Sequence, residues 1–307
     1  MGKIAFLFAG QGAQYVGMGQ DLYQQFPSVQ ALFERAEQTR PGITSLCFEG
    51  PEAALTQTVN TQPALFLVDL ACAYLLKESG ITADGVAGFS LGEVPAVCFA
   101  GLLSEATAFD FVCARAAAMQ ACAESSSGMM IAVMRLPTTK VEALCANIPG
   151  AWTVNYNCPE QVVIACLTDM AEQVETAVAE QGGRTVRLAV SGAFHSPLMS
   201  SASEALAIWL TAHEWHVSHI PIYANMTGRP YGDEADARKL LVQQVCSPVR
   251  WEDSIRRMIA DGFDTFVEVG AGKVLSGLVR KIDSSVRVLR VGDMQSLAKT
   301  VETLQEV

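Results

Sequence analysis

The chain opens with a short apolar block, KIAFLFAG, followed by glycine-rich sequence and then by helical patterning from about Ser28. Blocks of this kind recur. TQPALFLVDLACAYLLKESG predicts a long helix with Thr61 as its cap, Pro63 early and Gly80 at its end. DGVAGF predicts the next strand, LGEVPAVCFAG its following helix, and SEATAFDFVCARAAAMQACAE a longer helix starting near Ser104. Strands alternating with helices in this way predict a parallel sheet with helices on both faces.

A small-residue hinge, ESSSG at 124–128, interrupts the pattern. After it come GMMIAVMRL as a strand, PTTKVEALCANI as a helix, WTVNYN and QVVIACL as two strands, TDMAEQVETAVAEQGG as a helix and RTVRLAV as a strand. This β-α-β-β-α-β order is the split pattern of a ferredoxin-like unit. The α/β alternation then resumes: a helix at 197–212, a strand in VSHIPIYAN, helices from Asp233 and Trp251, strand DTFVEVG, helix KVLSGLVRKI, strand VRVLRV and a last helix. The expected fold is therefore α/β, with an α/β-hydrolase-like large domain built from 1–122 and 199–307 around a ferredoxin-like small domain at 123–198.

Composition narrows the function classes. With 307 residues, half of them hydrophobic, the chain can bury a large core. Asp69 breaks the longest apolar run, so no membrane span is expected. A net charge of -11 disfavours nucleic acid, which needs clustered Lys and Arg. The basic residues gather late, from Arg250 to Arg290, among interspersed acids, and most read as a solvated mixed-charge surface. Nine cysteines, odd in number and without a C-x-x-C pair, fit a reducing cytoplasm. A monomer is expected.

The candidate chemistry centres on AGFSLGEV at 87–94. Ser90 stands in G-x-S-x-G spacing between a predicted strand and a predicted helix, the context of a nucleophile elbow, with the Leu91 amide placed to donate to an oxyanion. A serine N-cap at a glycine turn is the alternative. Pro95 deletes a backbone donor early in that helix and predicts an irregular first turn. Of four histidines, His213, His216 and His219 suggest a metal set, but one ends a helix and two lie on opposite faces of a predicted strand, so no metal site is expected. His195, in SGAFHSPLM, lies where the small unit rejoins the large one, a common place for a site. Arg115 shares a helix face with Phe111 and Met119, so its guanidinium must line a cleft and clamp a carboxylate, or pair internally with an acid. FAGQGAQ at 8–14 lacks the endings of phosphate loops; the amide near Gln11 can complete an oxyanion hole, or the segment is a plain tight turn.

FAGQGAQ, TQPALF, GFSLGE, RAAAMQ, VNYNCPEQVVIA, GAFHSPLM, SPVRW and VEVGAGKVLSGL occur in the order and spacing of malonyl-CoA:acyl carrier protein transacylases. The chain resembles that family over nearly its whole length. The resemblance implies a ping-pong transfer of malonyl from malonyl-CoA, through Ser90, to the phosphopantetheine thiol of an acyl carrier protein, without a cofactor. It implies His195 as base and then acid, Arg115 on the malonyl carboxylate, and the amides of Gln11 and Leu91 on the oxyanion. Phe194 would crowd an α-methyl group, Asn155 and Asn157 would line the cleft, and the backbone carbonyl of Arg250 would orient His195. Three positions depart from the family's usual residues: Phe89 where His is common, Arg250 where Gln is common, and Pro95. A discrete polyketide acyltransferase and an acyl hydrolase are the rival readings.

Overall fold

The computed structural model describes residues 2–306. Five strands form one parallel sheet: β1 (Lys3–Phe8), β2 (Gly85–Gly88), β7 (Ile222–Tyr223), β8 (Phe263–Val269) and β9 (Arg287–Val291), in the order β7-β2-β1-β8-β9. The other four, β3 (Gly128–Met134), β4 (Ala151–Cys158), β5 (Gln161–Leu167) and β6 (Arg184–Arg187), form an antiparallel sheet ordered β4-β5-β3-β6. That order, with helices Thr138–Ala146 and Ala171–Glu180 as crossovers, is the ferredoxin-like topology the pattern predicts.

Continuous apolar runs explain the central strands, which are covered on both faces. Ala5, Phe6, Leu7 and Phe8 of β1 are all buried, with Phe6 and Phe8 on one side and Ala5 and Leu7 on the other. Helix Thr58–Glu78 is apolar around most of its circumference because it lies inside the core. Its length and composition alone would suit a membrane span, contrary to the expectation that Asp69 rules one out; 83% of its most apolar window is buried against the rest of the protein. The helix begins three residues before the predicted cap, and the Thr61 hydroxyl instead donates to the Leu55 carbonyl. Ser104 does cap helix Glu105–Ser125, accepting from the Thr107 amide.

Two local readings change. Of VSHIPIYAN only Ile222–Tyr223 is strand, because the preceding residues spend their amides on the 100–102 turn instead: His216 donates to Leu102 and His219 to Ala100. Between Arg40 and Thr58 the chain forms two short helices, Ile43–Glu49 and Glu52–Leu55, that the polar pattern does not announce. The small sheet joins the large layer through Val249, whose amide donates to Val154 and whose carbonyl accepts from Tyr156. This seam carries the 244–250 segment past the carboxyl ends of the parallel strands.

Candidate active site

The site lies at the carboxyl ends of β1, β2 and β8, where an open parallel sheet places its ligands. Ser90 follows β2 with φ at 52°, a left-handed backbone that a β-substituted residue adopts only under constraint. Three close approaches hold it there. A Cβ at Gly88 would strike the Gly92 backbone, one at Gly92 would strike the Phe8 carbonyl, and one at Gly10 would sit 2.5 Å from the Phe89 carbonyl. The irregular turn expected near Pro95 is a 3-10 turn at Ser90–Gly92, after which helix Glu93–Phe99 begins. Pro95 then sits in the first helical turn, where amides lack intrahelical partners anyway.

His195, 105 residues away in sequence, brings Nε2 to 2.7 Å from the Ser90 hydroxyl. Its Nδ1 lies 2.9 Å from the Gln244 carbonyl. A carbonyl only accepts, so Nδ1 carries the proton and Nε2 presents its lone pair to Ser90. The orienting carbonyl is therefore that of Gln244, not of Arg250. The Arg250 carbonyl accepts from the amide and hydroxyl of Ser254, while its side chain stacks on Tyr156 at 5.1 Å and reaches Asp253. Burial, and then the nearby Arg115 charge, push the His195 pKa down to about 4, so the imidazole is neutral.

Arg115 is fully buried and meets no carboxylate at ion-pair distance among the described residues, which removes the internal salt bridge. Its guanidinium donates to Gln62 Oε1 at 2.6 Å, Gln244 Oε1 at 2.7 Å and the Ser90 hydroxyl at 3.2 Å, while Nε has no acceptor. Desolvation lowers its pKa to about 10, leaving it charged at neutral pH. A buried cation held by neutral amides beside a nucleophile is an electrostatic complement to an anionic ligand.

Around this core the other sequence candidates fall as follows. The Gln11 side chain donates to Thr58 Oγ1, and neither its amide nor that of Leu91 has a protein acceptor among the described residues. Phe194 is buried beside His195, and Asn155 and Asn157 on β4 are buried with their amide oxygens unpartnered. Phe89 packs edge-on against Trp251, ring centres 5.5 Å apart. His213 stacks on Trp209, and no cluster of three potential metal ligands exists among the described residues. Four residues that the sequence reading did not assign complete the site: Gln62, Glu93, Asn225 and Gln244. Gln62 and Glu93 stand inside two of the quoted motifs, whereas Asn225 and Gln244 carry no local signal.

Residues 5–302 match the model of the acyl transferase domain family. The chain belongs to the acyl transferase family. This acyl transferase is 38% identical over 312 residues to the malonyl CoA-acyl carrier protein transacylase of Bacillus subtilis, covering all of this chain and 98% of that one. Among solved structures it resembles the malonyl CoA-acyl carrier protein transacylase of Clostridium perfringens, with a TM-score of 0.96 and 35% identity over 99% of this chain and 98% of that one. It also resembles a malonyl-transacylase solved with its type II polyketide acyl carrier protein, with a TM-score of 0.95 and 31% identity over 98% and 99% of the two chains.

Proposed function

We propose that this acyl transferase moves a malonyl group from malonyl-CoA to the phosphopantetheine thiol of an acyl carrier protein of fatty acid synthesis. The observation that carries the reading is the meeting of three groups at one point: the Ser90 hydroxyl lies 2.7 Å from a neutral His195 and 3.2 Å from a buried, unneutralised Arg115. The first pair is an activated nucleophile; the third group selects an acyl chain ending in a carboxylate.

In the first half-reaction Ser90 Oγ attacks the thioester carbonyl as His195 Nε2 takes its proton. The oxygen that becomes negative is held by the amides of Gln11 and Leu91. The C–S bond then breaks, CoA leaves as its thiol with the proton from His195, and malonyl remains as an ester on Ser90. The pantetheine thiol gives its proton to His195 and attacks that ester. Collapse returns the proton to Ser90 and releases the malonyl thioester. Gln244 holds the imidazole through both halves and accepts from the imidazolium when it forms. Arg115 binds the malonyl carboxylate, Phe194 crowds the position an α-methyl would take, and Asn155 lines the cleft. The reaction so described uses only this chain and its two substrates. Nine free cysteines fit a reducing cytoplasm.

Intact mass after brief exposure to malonyl-CoA tests the reading. One malonyl adduct is expected, absent in Ser90→Ala and discharged by acyl carrier protein. Turnover of malonyl-CoA to free acid without transfer would make the protein a hydrolase, and an adduct on Ser90→Ala would remove Ser90 from the mechanism. The type II polyketide relative makes a polyketide carrier the second reading, and paired assays with the two carrier types separate it from the first.

A further inference from the structure

The buried acid Glu93 takes no direct part in the chemistry above, yet two of the three hydrogen bonds its carboxylate accepts come from residues that hold the site, Asn225 and Gln244. Oε1 accepts from the Tyr231 hydroxyl at 2.6 Å and from the Asn225 amide at 3.1 Å; Oε2 accepts from Gln244 Nε2 at 2.6 Å. Asn225 in turn accepts from the Ser90 amide through Oδ1, at 2.7 Å, and donates to the Gly88 carbonyl, at 2.6 Å. Gln244 Nε2 also donates to the Ser90 carbonyl at 2.7 Å.

The Gln244 amide has two ends, and their order matters. Its nitrogen faces two groups that only accept, Glu93 Oε2 and the Ser90 carbonyl, so both of its N–H bonds are consumed there. The oxygen must then face Arg115, at 2.7 Å, which only donates. Reversed, the amide would set N–H against guanidinium N–H and oxygen against carboxylate. We infer that Glu93 is a positioning residue: as a buried acceptor it fixes the polarity of the Gln244 amide, and through it the placement of Arg115 for a carboxylated acyl group.

The same relay supplies charge. Among the described residues Arg115 has no carboxylate at ion-pair distance, and the charge of Glu93 reaches it from one glutamine away. The charged and titratable groups facing Glu93 are Tyr231 and Arg115, with Gln244 and Asn225 as neutral donors. Burial pushes the Glu93 pKa up to about 7, against the pull of those donors, so its acceptor character is titratable near neutrality. This inference rests on the malonyl reading for its catalytic test, but not for its structural one.

Glu93→Gln keeps shape and volume while replacing one acceptor by a donor. Expected is a fall of about tenfold to a hundredfold in the malonyl-over-acetyl ratio of Ser90 acylation, the range for one hydrogen bond to a charged group, with acetyl acylation changed less. In the native protein that ratio should fall as pH drops through about 7, as Glu93 takes up its proton, and in Glu93→Gln the fall should vanish. His195 drops out of the ratio because both acyl groups use the same base. A ratio unchanged by the substitution, or an identical pH profile in the variant, overturns the inference. Urea unfolding of Glu93→Gln, Arg115→Met and the double variant tests the relay without substrate. A coupling of about threefold or more in the unfolding constant supports it, and simple additivity overturns it. Failure of the native protein to accept malonyl would strike the proposed function while leaving that cycle as the judge of the relay.

Discussion

Gly92→Ala isolates the cost of placing the nucleophile. Gly92 has φ −57° and ψ −19°, backbone angles that alanine adopts freely, so any loss comes from contact and not from conformation. The new Cβ would run into the Phe8 carbonyl and lie 2.6 Å from the Ala9 carbonyl, both backbone atoms of the central strand and its exit. No side chain can swing aside. Relief requires the elbow to back away from β1, at the expense of the hydrogen bond from the Phe89 amide to the Phe8 carbonyl, now 3.0 Å. One buried hydrogen bond and the accompanying overpacking cost about 2–4 kcal/mol. A displacement of Ser90 by about 1 Å from His195 costs about a hundredfold in rate. Gly277→Ala is the control, since a Cβ there meets nothing within 4 Å and alanine in a helix should stabilise by about 0.5–1 kcal/mol. Urea unfolding and the rate of Ser90 acylation are measured on both. A Gly92→Ala protein with native midpoint and native rate would refute the argument that glycine is required for close approach.

Two further expectations concern pH. Acylation by a non-carboxylated acyl-CoA should keep its rate well below neutrality, with an acid limb near 4 rather than near 6.5, because burial holds His195 neutral; a limb at the ordinary imidazole value would refute it. Between those values the folded protein binds fewer protons than the unfolded chain at His195, so this residue makes stability fall as pH drops through that window. Asp69 is fully buried, and desolvation and then the neighbouring Glu268 raise its pKa well above its ordinary value. A raised pKa means stability is lost as pH rises, by about 1.4 kcal/mol per unit until the folded group ionises. Asp69→Asn should therefore be more stable than the native protein at pH 8 and gain less at pH 5, as read from urea midpoints. A pH-independent difference would contradict that.

Much of this was written in the order of residues. Period and length announced both sheets, because a buried parallel strand is a continuous apolar run and the β-α-β-β-α-β order leaves one compact pairing. Ser90, His195 and Arg115 each stood out locally, as a serine between glycines, a histidine at the return crossing and a cation among apolar neighbours. Their convergence was a different matter. Ser90 and His195 meet across 105 residues, and no local pattern encodes a 2.7 Å separation between distant turns. The resemblance puts the orienting carbonyl at Arg250, whereas it is that of Gln244: every residue has a carbonyl, and only the path of the backbone decides which one points at an imidazole. Glu93, Asn225 and Gln244 were unassigned for a related reason. An amide or acid gains its role from the polarity of what surrounds it once it is buried, and tertiary structure alone supplies those surroundings.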